Sequence, residues 1–162
     1  MPIRVGILTI SDAGARGERL DTSGDAIAEW TRSKGFALAA RALVPDETGR
    51  IVPILIEWAD QDRADLILTT GGTGLTPRDV TPEATRVVLL KEAPGLAEAL
   101  RMSSYPKFPK AALSRGLAGV RARTLIINLP GSPGGVRDGL AVLDSLVEHA
   151  VDLVRGVNTG HP

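Results

Sequence analysis

The chain has 162 residues, nineteen basic and nineteen acidic side chains, and an aromatic content of 3%. Balanced charge with so few rings argues against nucleic-acid binding as its task, because phosphate neutralisation wants a basic face and single strands want stacking platforms. With no cysteine, disulfides and thiolate metal sites are excluded, and the length suits one domain over residues 1–162.

The opening MPIRVGILTIS lacks a charged segment ahead of its apolar run, and that run is too short to span a bilayer. It reads as a first strand over residues 3–10 of a soluble, unexported, cytoplasmic protein with no membrane partner. Ser11 and Asp12 end the strand and open a long loop to Gly24. Long loops at strand ends often carry function. Thr22 to Asp25 fits a loose capping box for a helix over about 24–34, with Ile27, Trp30 and Thr31 at helical spacing and a stop at Gly35. Residues 36–44 suit a second strand, and Pro45 to Gly49 a turn. Ile51, Ile54, Leu55 and Trp58 then stripe the next helix. Pro53 costs about 3 kcal/mol in a helix interior, so this helix is expected to begin as late as Val52.

The run DLILTT, residues 65–70, has the continuous apolar character of a parallel strand covered on both faces. Gly71, Gly72 and Gly74 behind it accept positive φ and let the backbone approach a ligand. Thr81, Pro82 and Glu83 read as N-cap, first helical position and favourable first-turn charge. Pro94 opens a short helix with Leu96 and Leu100 inward, and residues 103–116 read as a surface excursion. A last strand covers 124–129, and Ser132 with Pro133 repeats the N-cap signature. One final helix then carries Val136, Leu140, Leu143, Val147, Ala150 and Val154, stops near Gly156 and leaves a frayed tail, VNTGHP. Four strands alternating with helices predict a doubly wound, mostly parallel α/β sheet that gathers ligands at its strand C-termini.

Three of those strand ends carry distinctive polar loops: Ser11 and Asp12, Gly71 to Asp79, and Pro130 to Pro133. The strings GxxxxGK[ST], GxGxxG and GxSxG do not occur. The glycine loop taken alone is equally a tight turn or a phosphate cradle. Arg78, able to clamp phosphate, and Asp79, able to hold a hard divalent cation, favour the cradle. Asp46 alone reads as a turn or cap aspartate; paired in space with Asp79 it could share a magnesium ion. His149 and His161 lie too far apart for a local metal motif. Ser104, Ser114 and Ser132 read as hydrogen-bonding groups rather than nucleophiles, and Trp30, Trp58, Ile27 and Leu143 as core.

Taken together, GILTISD, DTSG, VPDE, DLILTTGGTGLTPRDVTPEAT, LSRG and TLIINLPGSPGGV span nearly the whole chain. In that order they resemble the MogA/MoaB family of molybdenum-cofactor biosynthesis proteins. The resemblance implies a three-layer αβα sandwich with a mostly parallel sheet, assembled as a homotrimer or a hexamer. It implies a molybdopterin adenylyltransferase using ATP, molybdopterin and Mg2+ and releasing pyrophosphate, with a possible molybdenum-insertion partner protein. A non-catalytic molybdopterin-binding protein is the alternative. By the same resemblance Asp46 and Asp79 are the essential aspartates, catalytic and metal-binding, and Ser114 and Ser104 touch molybdopterin, Ser103 being the alternative to Ser104. Gly71, Gly72, Thr73, Gly74, Gly131 and Ser132 line the pocket, with Ser11, Asp12 and Arg78 as further substrate contacts.

Overall fold

The computed structural model describes residues 1–157 and 160. Of the expected frayed tail only Val157 and Gly160 belong to that set, Val157 donating its N–H to the Asp152 carbonyl at 2.9 Å, and the reading of His161 falls outside it. Six strands form one sheet: β1 (Arg4–Ile10), β2 (Ala37–Val44), β3 (Leu66–Thr70), β4 (Lys91–Glu92), β5 (Ala118–Arg121) and β6 (Thr124–Leu129), in the order β2-β1-β3-β6-β5-β4. The first four positions in that order are parallel, while β5 and β4 are antiparallel additions at one edge.

Alternation along the central strands divides the core into two layers. Val5, Ile7, Leu66, Leu68, Leu125 and Ile127 face one side. Leu8, Ile10, Ile67 and Ile126 face the other. The first face is covered by α2 (Thr22–Ser33), α5 (Pro94–Ser104), α6 (Pro133–Leu143) and α7 (Val147–Val154), the second by α3 (Thr48–Asp60) and α4 (Thr81–Val88). This is the α/β sandwich expected, and each fully buried Leu or Ile in it stabilises by about 1.5–3 kcal/mol. Ile27, Trp30, Trp58 and Leu143 are buried as read. Trp58 lies across Gly6 of β1, where an added Cβ would come within 2.8 Å of the indole.

The helix after β1 packs on one face and the helix after β2 on the other, because the chain reverses its winding direction between β2 and β3. The loops leaving β1 and β3 therefore diverge at adjacent strand ends and open a crevice.

Several local expectations are corrected. A four-residue helix, α1 (Asp12–Ala15), occupies the start of the first loop, capped by Ser11, which accepts from the Gly14 N–H. Asp21, not Thr22, caps α2. The third helix begins at Thr48, not Val52, so Pro53 sits in its interior. Its ring lies on the exposed face, and burial of Ile51, Leu55 and Trp58 on the opposite face offsets the lost backbone bond. Val80 takes the N-cap position of α4, leaving Thr81 inside the helix. The excursion after Ser104 contains a 3-10 helix, Pro109–Leu113. The single final helix is two, interrupted between Leu143 and Val147, and Asp144 in the break accepts from the Trp30 indole at 2.8 Å. His149 lies on the exposed side of α7.

Candidate active site

Two consecutive left-handed glycines end β3: Gly71 at φ 98° and Gly72 at φ 69°. A Cβ on Gly71 would stand 2.2 Å from the Ile10 carbonyl oxygen, so only glycine lets the loop turn this close to the end of β1. Thr81 fixes the turn from the other side. Its hydroxyl donates to the Gly71 carbonyl at 2.8 Å and its N–H to the Gly72 carbonyl at 3.0 Å. The Gly71 N–H is engaged with the Leu129 carbonyl.

Asp46 and Asp79 face this loop from opposite ends. A Cβ built on Gly72 would lie 2.8 Å from an Asp46 carboxylate oxygen, and one on Gly74 would lie 2.8 Å from an Asp79 carboxylate oxygen. The absent side chains of the two glycines thus make room for the two carboxylates. Asp79 accepts from the Thr76 N–H at 3.0 Å and the Thr76 hydroxyl at 2.9 Å. Asp46 accepts from the Asp12 N–H at 2.9 Å, and its own N–H donates to Asp12 at 3.0 Å. Burial pushes the Asp46 carboxyl above its ordinary value, against the Asp12 N–H, and the negative charges of Asp12 and Asp79 add to that rise. Asp12 is held down at about 2, first by the Arg78 guanidinium and then by the Asp46 N–H. Arg78 donates to both Asp12 oxygens at 2.9 Å, so its fork already grips a carboxylate.

Two cavities meet at Gly72, Asp79, Gly131 and Ser132. One, about 680 Å³, is bounded by Ser11, Asp12, Asp46 and Arg78 together with Arg16 and Arg19. The other, about 590 Å³, is walled by Leu100, Phe108, Leu113 and Leu129, with Ser104 and Ser114 among its polar groups. Every residue expected in the site lines one cavity or both, including Thr73 and Gly74 on the second. Ser104 is buried and donates to Asp138 at 2.9 Å. Ser103 instead turns back onto the Leu100 carbonyl and is exposed. Ser114 faces the Thr73 hydroxyl at 3.4 Å. Ser132 caps α6, accepting from the Gly135 N–H at 3.1 Å.

Among the described residues no group of three or more His, Cys, Asp or Glu side chains is placed to hold a metal ion. The carboxylates facing the glycine loop, Asp46 and Asp79, are of a chemistry that would fit magnesium, an ion commonly bound by one or two carboxylates and completed by substrate phosphate and water.

Two residues that support the site were not legible in the sequence. Arg115, directly after Ser114, reaches back to the Gly74 and Asp79 carbonyls at 2.8 and 2.9 Å. Asp138, one turn into α6, anchors Ser104. The signal for the first was an arginine inside LSRG; the second had none, being one acidic residue in an amphipathic helix.

Residues 6–149 match the protein family described as "Probable molybdopterin binding domain". Over 158 residues the chain is 41% identical to the molybdopterin adenylyltransferase of Helicobacter pylori strain J99, covering 95% of this chain and 89% of that protein. It is 44% identical over 154 residues to the molybdenum cofactor synthesis protein cinnamon of Drosophila melanogaster, spanning 94% of this chain and 26% of the fly protein. The solved structure of the molybdopterin biosynthesis enzyme MoaB from Thermus thermophilus is similar at TM-score 0.90 and 57% identity, over 95% of this chain and 97% of that one.

Proposed function

The chain belongs to the molybdopterin-binding domain family of molybdenum-cofactor biosynthesis, and from that membership we propose that it is a molybdopterin adenylyltransferase. It moves the AMP group of ATP onto the phosphate of molybdopterin and releases pyrophosphate. The observation that carries this reading is the pair of cavities meeting at Gly72 and Asp79. One is lined by carboxylates and arginines, the other by Leu100, Phe108 and Leu129 with serines between them, as a nucleotide and a pterin side by side require.

An oxygen of the molybdopterin phosphate attacks the α-phosphorus of ATP, and the bond from that phosphorus to the oxygen bridging to the β-phosphate breaks. The electron pair leaves with pyrophosphate. Holding the two phosphates in line at the seam of the cavities supplies the proximity term. No protein nucleophile is consumed, consistent with a chain that has no cysteine and no GxSxG elbow. Asp46 and Asp79 would hold magnesium, which would supply positive charge to offset that developing on the leaving pyrophosphate. The backbone amides of residues 72–74 receive phosphate oxygens, and Arg78 adds a positive contact once it leaves Asp12. Ser104 and Ser114 contact the pterin. No helix among the described residues is long and apolar enough to cross a membrane. The protein works in the cytoplasm as a homotrimer, with a molybdenum-insertion protein downstream.

Purified protein given molybdopterin, Mg2+ and ATP is expected to release pyrophosphate. Asp79→Asn abolishes that release and leaves pterin binding intact; equal loss of both refutes this division of roles. Tight pterin binding without pyrophosphate identifies a binding-only member of the family.

A further inference from the structure

The loop that carries Asp79 is tied to itself through Thr76, which donates to the Asp79 carboxylate, and to α1 through Arg78, which donates to Asp12. It starts from two glycines without side chains, and Leu75, Thr76, Pro77 and Arg78 are exposed. Asp79 also faces Asp46 across the glycine loop, the two carboxylates standing 2.8 Å from where a Cβ on Gly74 and on Gly72 would come. Like charges favour separation, so an untethered Asp79 relaxes toward solvent.

Arg115 opposes that. Its N–H donates to the Thr73 carbonyl at 2.8 Å, its Nε to the Gly74 carbonyl at 2.8 Å, and its Nη2 to the Asp79 carbonyl at 2.9 Å. One residue therefore ties both ends of the Gly74 to Asp79 loop. The guanidinium is itself oriented by Glu83 of α4, which accepts from Nη1 at 2.7 Å and from Nη2 at 3.2 Å. Asp79 is thus held through its carboxylate by Thr76 and through its carbonyl by Arg115. The Arg115–Glu83 pair is largely exposed and contributes little to stability as an ion pair. What it supplies is direction, and a planar fork with several fixed donors supplies it where an ammonium does not.

We propose that Arg115 is the positioning residue for Asp79, clamping the Gly74 to Asp79 loop so that this carboxylate stays opposite Asp46, with Glu83 orienting the clamp. The inference rests on the reading under which those two aspartates hold the metal and nucleotide.

The test compares wild type with Arg115→Gln, Arg115→Lys and Glu83→Gln. Mn2+ binding in the presence of a non-hydrolysable ATP analogue is followed by electron paramagnetic resonance, pterin binding by fluorescence, and folding by thermal melts. Both Arg115 variants are expected to weaken Mn2+ binding about 10- to 100-fold, the effect seen when a group orienting a metal ligand is removed. Pterin affinity stays at the wild-type value. Arg115→Lys fails like Arg115→Gln because charge alone is insufficient, and Glu83→Gln gives a smaller loss in the same direction. Mn2+ affinity unchanged in Arg115→Gln overturns the proposal. So does rescue by lysine, or a parallel fall in pterin affinity and melting temperature, which marks a general structural role. Wild-type protein that binds no Mn2+ with the nucleotide refutes the adenylyltransferase reading itself, and the clamp with it, before any variant is compared.

Discussion

Asp12 and Asp46 exchange main-chain N–H groups for each other's carboxylates, Asp12 N–H to Asp46 at 2.9 Å and Asp46 N–H to Asp12 at 3.0 Å. The exchange locks the start of α1 to the loop after β2, and it treats the two acids differently. Asp12 is neutralised by Arg78 and stays ionised; Asp46 is partly buried and resists ionisation. One aspartate is structural ballast for the other, which is left facing the glycine loop.

From this follows a trade between stability and activity at Asp46. Its folded pKa lies above the unfolded one, so its contribution to stability is present at low pH and is lost as pH rises through the folded value. At pH 7 the ionised group therefore costs stability. Asp46→Asn keeps an oxygen able to accept the Asp12 N–H and removes the charge. It is expected to raise the melting temperature at pH 7, with the gain vanishing below about pH 3.9, the ordinary aspartate value. Pyrophosphate release falls at least about 100-fold, the scale of losing one electrostatic contact to the reacting charge. A lower melting temperature at pH 7 would show that the hydrogen bond outweighs the desolvation.

What could be read in the sequence, and what could not, follows from how local each cause is. The strands β1, β3 and β6 are buried on both faces and read as short runs of mostly aliphatic and β-branched residues, so they were legible. The two residues of β4 and the four of β5 carry no such run, and they form through pairing with each other and with β6. Thr81 resembles an N-cap, but its hydroxyl finds the Gly71 carbonyl ten residues back, a partner that exists only once the loop has closed. Arg115 lies 36 residues from Asp79, beyond any local pattern. The facing of Asp46 and Asp79 across Gly72 and Gly74 is likewise tertiary, and spacing could not show it.

The glycine turn can be tested against a permissive glycine in the same chain. Gly71→Ala places a Cβ against the Ile10 carbonyl at a positive φ. Backbone strain of this kind costs about 1–3 kcal/mol before the clash is counted. Gly49 lies in α3 with open space around its Cα and no positive φ. Gly49→Ala is therefore expected to stabilise by about 0.5–1 kcal/mol. Urea unfolding of the two variants should move in opposite directions; a neutral Gly71→Ala would remove the steric account of the loop.

The serines of the second cavity separate by their present partners. Ser114 sits at a long 3.4 Å from Thr73, and a ligand that displaces this contact gives up little. Ser104 already donates to Asp138 at 2.9 Å and must give that up or receive the ligand through its lone pairs. Ser114→Ala is expected to raise the KM for molybdopterin about 10-fold, the loss of one hydrogen bond to a charged or strongly polar group. The change in Ser104→Ala is smaller, and kcat holds in both. Steady-state kinetics with varied molybdopterin check the ordering, which a larger effect at Ser104 would reverse.

At the opposite end of the sheet, Asp65 closes the fold rather than the site. Its buried carboxylate accepts from the Arg4 N–H at 2.8 Å, from the Arg4 guanidinium at 2.8 and 3.2 Å, and from Arg155, the residue capping α7. Burial raises its pKa, but the Arg4 bonds and the charge of Arg155 outweigh burial and leave the net value lowered. A depressed carboxylate contributes stability that is present above its unfolded pKa and is lost as pH falls through the folded one. Asp65→Ala removes the buried acceptor that two arginines share, but both reach water and keep Asp62, so the cost is about 1–3 kcal/mol rather than that of a fully enclosed pair. Urea unfolding at pH 7 should show this loss. Below about pH 3.9 the gap between wild type and variant should shrink, because the wild-type carboxylate is itself being protonated. A gap independent of pH would assign the effect to packing around Asp65 instead of to its charge.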